Sequence, residues 1–256
     1  MPIKSLYLQY KRTNIQFVYP HLLISTIMKK KLVISTGAGV SAESGITTFR
    51  DANGLWEQYN VMEVCSADGF RRNPALIHQF YNDRRAQLAN VAPNDAHRGI
   101  AALENDFDVQ VITQNVDNLH EQAGSSKILH LHGELMTLRA IDDPDIIFRL
   151  DDPNFRSTPD TVIDGHHVRP NIVFFQEAVP MMEPAVKLAS EADIFVVIGT
   201  TLSVYPAAAL IQYVRRDIPI FYIDPNPAAV PSNVTVIPMK ATEGVAHLTT
   251  LLQQYK

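Results

Sequence analysis

Residues 37–51 carry the most chemical information in the sequence; they read GAGVSAESGITTFRD and follow an apolar run at 31–36. Their small side chains would let a ligand approach the backbone closely, and free N–H groups at the start of a following helix can hold a pyrophosphate. The pattern Gly37-x-Gly39-x-x-Ala42 is by itself a weak sign of a dinucleotide site. Because a plain strand–turn–helix has no need for the Phe49-Arg50-Asp51 that follows, we predict a loop that contacts a ligand.

Polar or small residues follow five later apolar runs, at 113–120, 130–135, 174–177, 199–206 and 224–227. In an open α/β sheet, the carboxyl ends of the strands deliver such residues to a common crevice. A nicotinamide dehydrogenase would carry an acid about 20 residues after the glycine loop, at the end of the next strand. Here the next apolar run ends much later, in Gln114-Asn115-Val116-Asp117, which argues against simple hydride transfer.

From Lys31 onward, apolar runs typical of buried strands alternate with helical patterns. The predicted strands are 31–36, 108–113, 127–131, 171–175, 193–199, 218–223 and 233–237, and the predicted helices are 74–90, 95–105, 181–191, 205–216 and 242–255. This alternation favours an α/β fold with an open, mostly parallel, Rossmann-like sheet and helices on both faces. Two long connections, at about 52–93 and 138–170, interrupt the alternation, and we expect them to form a small inserted lobe.

The composition is that of an ordinary globular protein: 46% of the 256 residues are hydrophobic, 19% are charged and the net charge is −5. This charge gives no general attraction to nucleic acid or to anionic membranes, and no apolar run approaches the ~20 residues of a membrane span. The sequence has one cysteine, Cys65, so an internal disulfide and a four-thiolate zinc site are both excluded. We expect Cys65 to be a packing residue, and the protein to be a cytoplasmic monomer.

The N-terminal segment differs from the rest of the chain. Residues 1–30 are basic and contain no acid, and the first acidic residue is Glu43. We predict that residues 1–27 are an extension outside the fold, and that 28–256 form the folded domain. The alternative is an organelle-targeting segment.

Taken together, the motifs resemble those of the sirtuins, the NAD-dependent protein lysine deacylases. The matching segments are GAGVSAESGITTFRD at 37–51, TQNVDNLH at 113–120, HGEL at 132–135, RPNIVFF at 169–175 and GTTLSVYP at 199–206. They occur in the family's order and cover the chain from about Met28 to Lys256. The resemblance implies a catalytic domain at 28–256 that uses NAD and acts on acyl-lysine proteins.

The resemblance also implies an NAD site built from several segments. The glycine-rich segment and the loop after it would supply Gly37, Ala38, Gly39 and Ser41 at the pyrophosphate, Phe49 and Arg50 in a loop that closes over NAD, and Glu43 and Trp56 as further NAD contacts. Gln114 would lie at the nicotinamide ribose, and Asn115 and Asp117 at the nicotinamide. The residues at the distal ribose and phosphate would be Gly199, Thr200 and Ser203, and those at the adenosine would be Asn226 and Ala241.

The general base implied by the motif is His132, and a histidine suits that role because its ordinary pKa is near neutral. An isolated histidine at a strand end is more often structural. The nearby strand-end residues Asn115 and Asp117 favour the catalytic assignment, and all three are predicted to be catalytic. We assign a structural role to His130.

A Tyr-x-x-Arg pair, Tyr81 and Arg84, falls in the first long connection, where three-residue spacing puts both side chains on one helical face. The pair is similar to that of sirtuins that remove succinyl, malonyl and glutaryl groups, since Arg can bind a carboxylate and Tyr adds a hydroxyl. The alternative is a packed Tyr and a solvated Arg. Further substrate contacts implied by the resemblance are Val173, Phe174 and Phe175.

The sequence departs from the family at two places. Most sirtuins bind zinc through two cysteine pairs in the region of 138–170, whereas this region has none, and Ala140 stands where the first cysteine is expected. We therefore predict no metal, and a lobe packed through Leu138, Ile141, Ile146, Ile147, Phe148, Leu150 and Phe155. The second departure is Gln176, which replaces the usual glycine beside the peptide-binding strand.

Three functions stay open at this point. The first is an NAD-dependent lysine deacylase, acting on acetyl and on succinyl or malonyl groups. The second keeps NAD but transfers ADP-ribose to protein or hydrolyses NAD, and the third is an NAD-sensing binding module without turnover. The complete set of Asn115, Asp117 and His132 argues against the third.

Overall fold

The computed structural model describes residues 29–46, 60–202 and 205–256. A six-stranded parallel sheet has the order β10-β9-β8-β1-β2-β3. Its strands are β1 (Lys31–Thr36), β2 (Asp108–Thr113), β3 (Ile128–His130), β8 (Ile194–Ile198), β9 (Ile220–Ile223) and β10 (Val234–Ile237). The sheet confirms the predicted parallel α/β fold.

Both faces of this sheet are covered, which explains its continuous apolar strands. Alternating residues of β1 face opposite sides: Leu32 and Ile34 join one apolar cluster, and Val33 joins the other. The first cluster includes side chains from α5 (Asp95–Ala102) and α8 (Ala241–Leu252), and the second includes side chains from α7 (Met182–Ser190). Short helices α1 (Gly39–Ala42) and α6 (Leu119–Gln122) follow β1 and β2, and single 3-10 turns follow α5 at Leu103–Asn105 and α8 at Gln253–Tyr255.

A second, antiparallel sheet has the order β5-β4-β7-β6. Its strands are β4 (Gly133–Ala140), β5 (Ile147–Arg149), β6 (Val162–Ile163) and β7 (His166–Ile172). Helices α2 (Val61–Val64), α3 (Ala67–Arg72) and α4 (Pro74–Gln87), with a 3-10 turn at Leu88–Asn90, lie between β1 and β2 in the sequence. We call α2–α4 and β4–β7 the small lobe.

Polar side chains on α4 connect this helix to the rest of the small lobe. The buried Arg85 donates from Nε to the carbonyl of Leu135 (2.6 Å) and from Nη1 to the carbonyl of Phe155 (2.7 Å). Asn82 donates to the carbonyl of Ser157 at 2.7 Å, and His78 contacts the Ser157 hydroxyl at 2.8 Å.

Three sequence predictions need correction. The predicted strand 171–175 is not in the parallel sheet: β7 ends at Ile172 and pairs antiparallel with β4. The region 138–170 contains short strands, which its Asp- and Pro-rich sequence did not indicate. The predicted helix 205–216 is a 3-10 helix, Ala207–Tyr213.

The predicted packing of the small lobe is correct for Leu138, which is fully buried. It is wrong for Ile141 and Ile147, which are 49% and 54% exposed, and Phe155 is exposed as well. Hydrogen bonds to backbone carbonyls, rather than these apolar side chains, connect the segment at 155–157 to α4. None of the described helices is both long and apolar enough to cross a membrane. The segment 1–27 lies outside the described residues.

Candidate active site

The large sheet is extended on one side of β1 by β2 and β3 and on the other side by β8, β9 and β10, so the strand order reverses between β1 and β8. The loops after β1 and β8 are in contact. Gly39 donates its N–H to the carbonyl of Gly199 at 2.8 Å. A Cβ added to Gly37 would lie 2.7 Å from the Thr200 Cβ, and one added to Gly39 would lie 2.7 Å from the Gly199 Cα. These glycines are therefore required by the close approach of the two loops. Ligands bind at such switch points in open α/β sheets.

A buried polar cluster lies beside this crevice. Ser41 in α1 donates from Oγ to Oδ2 of Asp117 at 3.1 Å and accepts from the Asn115 amide at 3.0 Å. Asp117 also accepts the N–H of Leu119 at 3.1 Å. Burial raises the pKa of Asp117, although the Leu119 and Ser41 hydrogen bonds oppose this effect. The structure thus brings together three residues that sequence reasoning put at one site.

His97, which was not predicted from the sequence, also contacts this cluster. The imidazole is buried in α5, with Nε2 3.3 Å from Ser41 Oγ and Nδ1 accepting the N–H of Asn94 at 3.3 Å. Burial lowers the pKa of His97 to about 4, so the ring is neutral. Its ring packs edge-on against His120, 4.9 Å between centroids. The helix-start pattern Asn94-Asp95-Ala96-His97 indicates a capping role for His97 but not its contact with Ser41.

His132 lies between β3 and β4 at the edge of the crevice. Its Nδ1 lies 3.0 Å from the carbonyl of Gln114, and since a carbonyl only accepts, Nδ1 carries the proton and Nε2 offers a lone pair. Burial lowers the pKa of His132, an effect that the Gln114 hydrogen bond partly offsets. Gly133 follows with φ +83, and a Cβ there would lie 1.9 Å from the Asn171 carbonyl oxygen. The backbone behind His132 therefore requires glycine.

His130 has a different environment, which agrees with a structural role. Its Nδ1 donates to the carbonyl of Asn115 at 3.0 Å, and its Nε2 pairs with Glu121 at 2.7 Å. Burial opposes the charged ring, but the Glu121 interaction outweighs it and the pKa of His130 is raised. Glu121, His130 and Glu134 are the one group among the described residues with spacing close enough for a metal ion. Because Glu121 already pairs with His130 and Glu134 pairs with Arg149, we assign ion pairs there.

The Tyr-x-x-Arg pair lies on α4, and both side chains are buried. Tyr81 stacks on Phe174 with 5.8 Å between ring centroids, and burial raises the pKa of its hydroxyl well above the ordinary value. Burial lowers the pKa of Arg84, while Tyr81, Cys65 and Asp117 raise it through their charges. Arg84 is therefore close enough to Asp117 for their charges to interact. Its burial excludes the alternative of a solvated arginine. Cys65 is buried in the same apolar cluster, as predicted.

The segment after β7 runs between His132 and α3. Val173 donates its N–H to the carbonyl of His132 at 3.0 Å, and Phe175 donates to the carbonyl of Cys65 at 2.8 Å. The ring of Phe174 is buried, whereas Phe175 is 42% exposed. The three predicted substrate contacts thus lie in one strip, next to both His132 and the Tyr81 ring.

Some of the remaining predicted NAD residues can be located in the structure, and the others lie outside its described residues. Gln114 reaches the Thr200 hydroxyl at 3.4 Å, and Ala38 caps the start of α1. Glu43 accepts from the N–H and hydroxyl of Thr242, at 3.1 and 3.0 Å, beside Ala241 at the start of α8. Asn226 follows β9, where its N–H donates to Asp224 at 2.8 Å. Phe49, Arg50, Trp56 and Ser203 lie outside the described residues.

Comparison with known proteins agrees with this geometry. Residues 37–206 match the model of the Sir2 family. The chain belongs to the Sir2 family. An NAD-dependent protein deacylase of Bacteroides thetaiotaomicron is 51% identical over 229 residues, which cover 87% of this chain and 98% of the relative.

Solved structures of Sir2 proteins have the same fold. A Sir2 homologue in complex with NAD superposes with a TM-score of 0.77 at 34% identity and covers 88% of this chain and 91% of its own. A Sir2 protein with a deacetylated p53 peptide and 3'-O-acetyl ADP-ribose gives a TM-score of 0.74 at 29% identity, covering 87% and 94%.

The zinc site of most sirtuins does not fit this family member. Tetrahedral zinc sites of the family type need thiolates, and the sequence has one cysteine, Cys65, which is buried beside Tyr81. Ala140, at the expected position of the first cysteine, is buried at the end of β4. The residues present therefore cannot reproduce the family's four-cysteine zinc site.

Proposed function

We propose that this Sir2-family protein, an NAD-dependent protein deacylase, removes negatively charged acyl groups such as succinyl and malonyl from lysine, in addition to acetyl. The observation that carries the proposal is the buried pair on α4: Tyr81 stacks on Phe174, and Arg84 is buried over the Phe80 ring. A carboxylate that reached these two side chains would receive a charge-assisted hydrogen bond from the guanidinium and a second one from the phenol.

The reaction consumes NAD as a substrate. As nicotinamide leaves the ribose, the acyl-lysine amide oxygen attacks the anomeric carbon, and a ribose hydroxyl must then be deprotonated to capture the resulting alkylimidate. We assign that deprotonation to Nε2 of His132, since Nδ1 is committed to the Gln114 carbonyl. The captured intermediate then loses the lysine amine, and a water molecule from solvent adds to the acyl carbon, so that the acyl group stays on ADP-ribose as an ester.

Asn115 and Asp117 support the cleavage step. Both are buried and share Ser41, so their amide and carboxylate are held in one arrangement before substrate arrives. Such preorganised polar groups stabilise charge that develops in a transition state without reorganisation. We assign the nicotinamide pocket to them, the pyrophosphate to the loop at Gly37–Ser41, and the distal ribose and phosphate to Gly199 and Thr200. Asn226, Ala241 and Glu43 are assigned to the adenosine side.

Charge recognition is tested with matched peptides carrying succinyl-lysine, its neutral carboxamide isostere (succinamoyl-lysine) and acetyl-lysine. A charge-assisted hydrogen bond contributes ~1.5–3 kcal/mol, or roughly 10- to 150-fold. We expect kcat/KM on the succinyl peptide to exceed that on the isostere by a factor in this range. Equal values for the charged and neutral groups would contradict the proposal.

The same assay tests the reaction type, because nicotinamide release can be followed with and without peptide. Release that requires the acyl peptide supports deacylation. Release of equal rate without peptide would instead indicate NAD hydrolysis or ADP-ribosyl transfer.

We also propose that the enzyme needs no metal and is a cytoplasmic monomer. Support for the first point is the absence of cysteine from 138–170 and the Arg85 contacts that link β4, α4 and the 155–157 segment. Structural zinc contributes folding free energy, so chelators unfold zinc modules. EDTA should leave both Tm and deacylation unchanged, and stoichiometric zinc in the purified protein would contradict this part of the proposal.

A further inference from the structure

Gln176 has an unusual backbone conformation for its residue type. Its φ is +74, in the left-handed region that glycine adopts at no cost and that other residues adopt rarely. Sirtuins usually carry glycine at this place in the motif, so the backbone requirement is met here by a different residue. Some other contact must hold the glutamine in this conformation.

The Gln176 side chain makes that contact with Asp68, near the start of α3. Its Oε1 accepts the backbone N–H of Asp68 at 3.1 Å, and its Nε2 donates to Oδ2 of the same residue at 2.8 Å. The first N–H groups of a helix have no partner within the helix, so the first of these bonds also completes the N-terminus of α3. The side chain is directed toward α3, away from the His132 side of the segment.

Part of the backbone around Gln176 already has partners. Val173 donates to the His132 carbonyl at 3.0 Å, and Phe174 donates to the Glu177 carboxylate at 2.9 Å and accepts the Glu177 N–H at 3.1 Å. Phe175 donates to the Cys65 carbonyl at 2.8 Å and accepts from the N–H of Ala67 at 3.1 Å. Within the described residues, the Val173 carbonyl and the backbone N–H and C=O of Gln176 make no backbone hydrogen bond. These three backbone groups could therefore bind the backbone of an extended peptide, next to His132.

We propose that the Gln176–Asp68 pair positions these backbone groups for the acyl-lysine peptide, and that this side-chain contact takes the place of the glycine usual in sirtuins. The inference rests on the assignment of Val173, Phe174 and Phe175 to the substrate under the proposed function. Gln176 is a positioning residue, since its side chain is directed to Asp68 and not to the reacting atoms.

The test compares four variants at saturating NAD: Gln176→Ala, Asp68→Ala, Gln176→Gly and the double variant Asp68→Ala with Gln176→Gly. Alanine at position 176, or loss of Asp68, leaves a left-handed backbone without its support. We expect a rise of about three- to tenfold in KM for an acetyl peptide, with kcat and KM for NAD nearly unchanged. Gln176→Gly should recover a KM near that of the wild type, and adding Asp68→Ala to it should change little.

This order of KM values distinguishes positioning from a general loss of structure, because glycine is normally the more destabilising substitution at an exposed site. An unchanged KM in Gln176→Ala, or an equal rise in Gln176→Gly, would overturn the proposal. Arg71→Met is the control for the ion pair between Arg71 and Asp68 and should retain the wild-type KM. Phe175→Ala tests the substrate assignment separately: if it leaves KM unchanged, the assignment fails and not the Gln176–Asp68 contact alone.

Discussion

The large sheet and the small lobe bury different kinds of side chain. Around β1 and β8 the core is almost entirely aliphatic and aromatic, with Leu32, Ile34 and Phe195 fully buried. In the small lobe, α4 buries His78, Asn82 and Arg85, whose polar atoms contact the 155–157 segment and the carbonyl of Leu135. A parallel sheet covered on both faces can be stabilised by apolar burial alone. The small lobe combines an apolar cluster around Phe80, Tyr81 and Phe174 with these buried polar contacts.

The proposed catalytic roles are also divided between the large sheet and the small lobe. The groups assigned to NAD cleavage, Asn115 and Asp117, follow a strand of the large sheet, and His132 stands where the chain passes from that sheet to the small lobe. The groups assigned to acyl selection, Tyr81 and Arg84, lie on α4 of the small lobe. We therefore expect changes at the sheet edge to affect every acyl substrate, and changes on α4 to affect particular ones.

The largest effect should follow replacement of His132. Removing a general base typically costs about 10²–10⁴-fold in rate, and His132→Ala should lower kcat/KM by such a factor on acetyl and succinyl peptides alike. NAD binding, measured by calorimetry, should persist. The matched control is His130→Gln, which we expect to lose less than tenfold. Near wild-type turnover by His132→Ala would refute the assignment.

The small lobe should depend strongly on Arg85. Arg85→Met removes hydrogen bonds from a charged donor and leaves the Leu135 and Phe155 carbonyls without it, so we expect a loss of about 3 kcal/mol in the free energy of unfolding. Arg149→Met breaks an exposed ion pair with Glu134 and should cost at most about 1 kcal/mol. Urea denaturation of both variants measures the two losses in the free energy of unfolding. Equal losses would contradict the prediction.

Lowering the pH should destabilise both the large sheet and the small lobe, because both bury neutral histidines. Burial lowers the pKa of His97 to about 4 and that of His120 to about 3 in the large domain, and that of His78 to about 4 in the small lobe. An unfolded histidine titrates near 6.5, so between about pH 6.5 and 4 the unfolded state binds more protons. Stability should therefore fall as the pH falls, by up to about 1.4 kcal/mol per pH unit for each histidine.

Urea midpoints at pH 7.5 and 5.0 measure this slope. In His78→Asn the slope should decrease by the contribution of one proton, while that of His97 and His120 remains. A midpoint that does not change over this range would show that these rings are already protonated in the folded protein.

The sequence was sufficient to predict the large sheet because its strands are continuous apolar runs. β1 and β2 match the predicted bounds, and β8, β9 and β10 lie within one or two residues of them. The strands of the small lobe were not predictable in this way. β5 and β6 are two or three residues long and half-exposed, so long-range pairing rather than local periodicity defines them.

The candidate site was predictable where it follows motifs and not where it depends on burial. Ser41, Asn115 and Asp117 meet as their strand-end positions predict. The contact of His97 with Ser41 was not predictable, because the helix-start pattern at 94–97 indicates only a cap. Arg85 was not assigned, because a polar stripe at His78, Asn82 and Arg85 has the spacing of a solvent-facing helix side. Tertiary contacts with the segment at 155–157 bury that stripe instead.

The measurement that tests this division of roles most directly is the ratio of kcat/KM on matched succinyl and acetyl peptides for wild type and Arg84→Met. We expect a fall of roughly 10- to 150-fold in this ratio, since the variant loses a charge-assisted hydrogen bond to the succinyl carboxylate and keeps the His132 machinery. Tyr81→Phe should lower the ratio less. If Arg84→Met reduces both activities by the same factor, Arg84 is a structural residue and acyl selection does not belong to the small lobe.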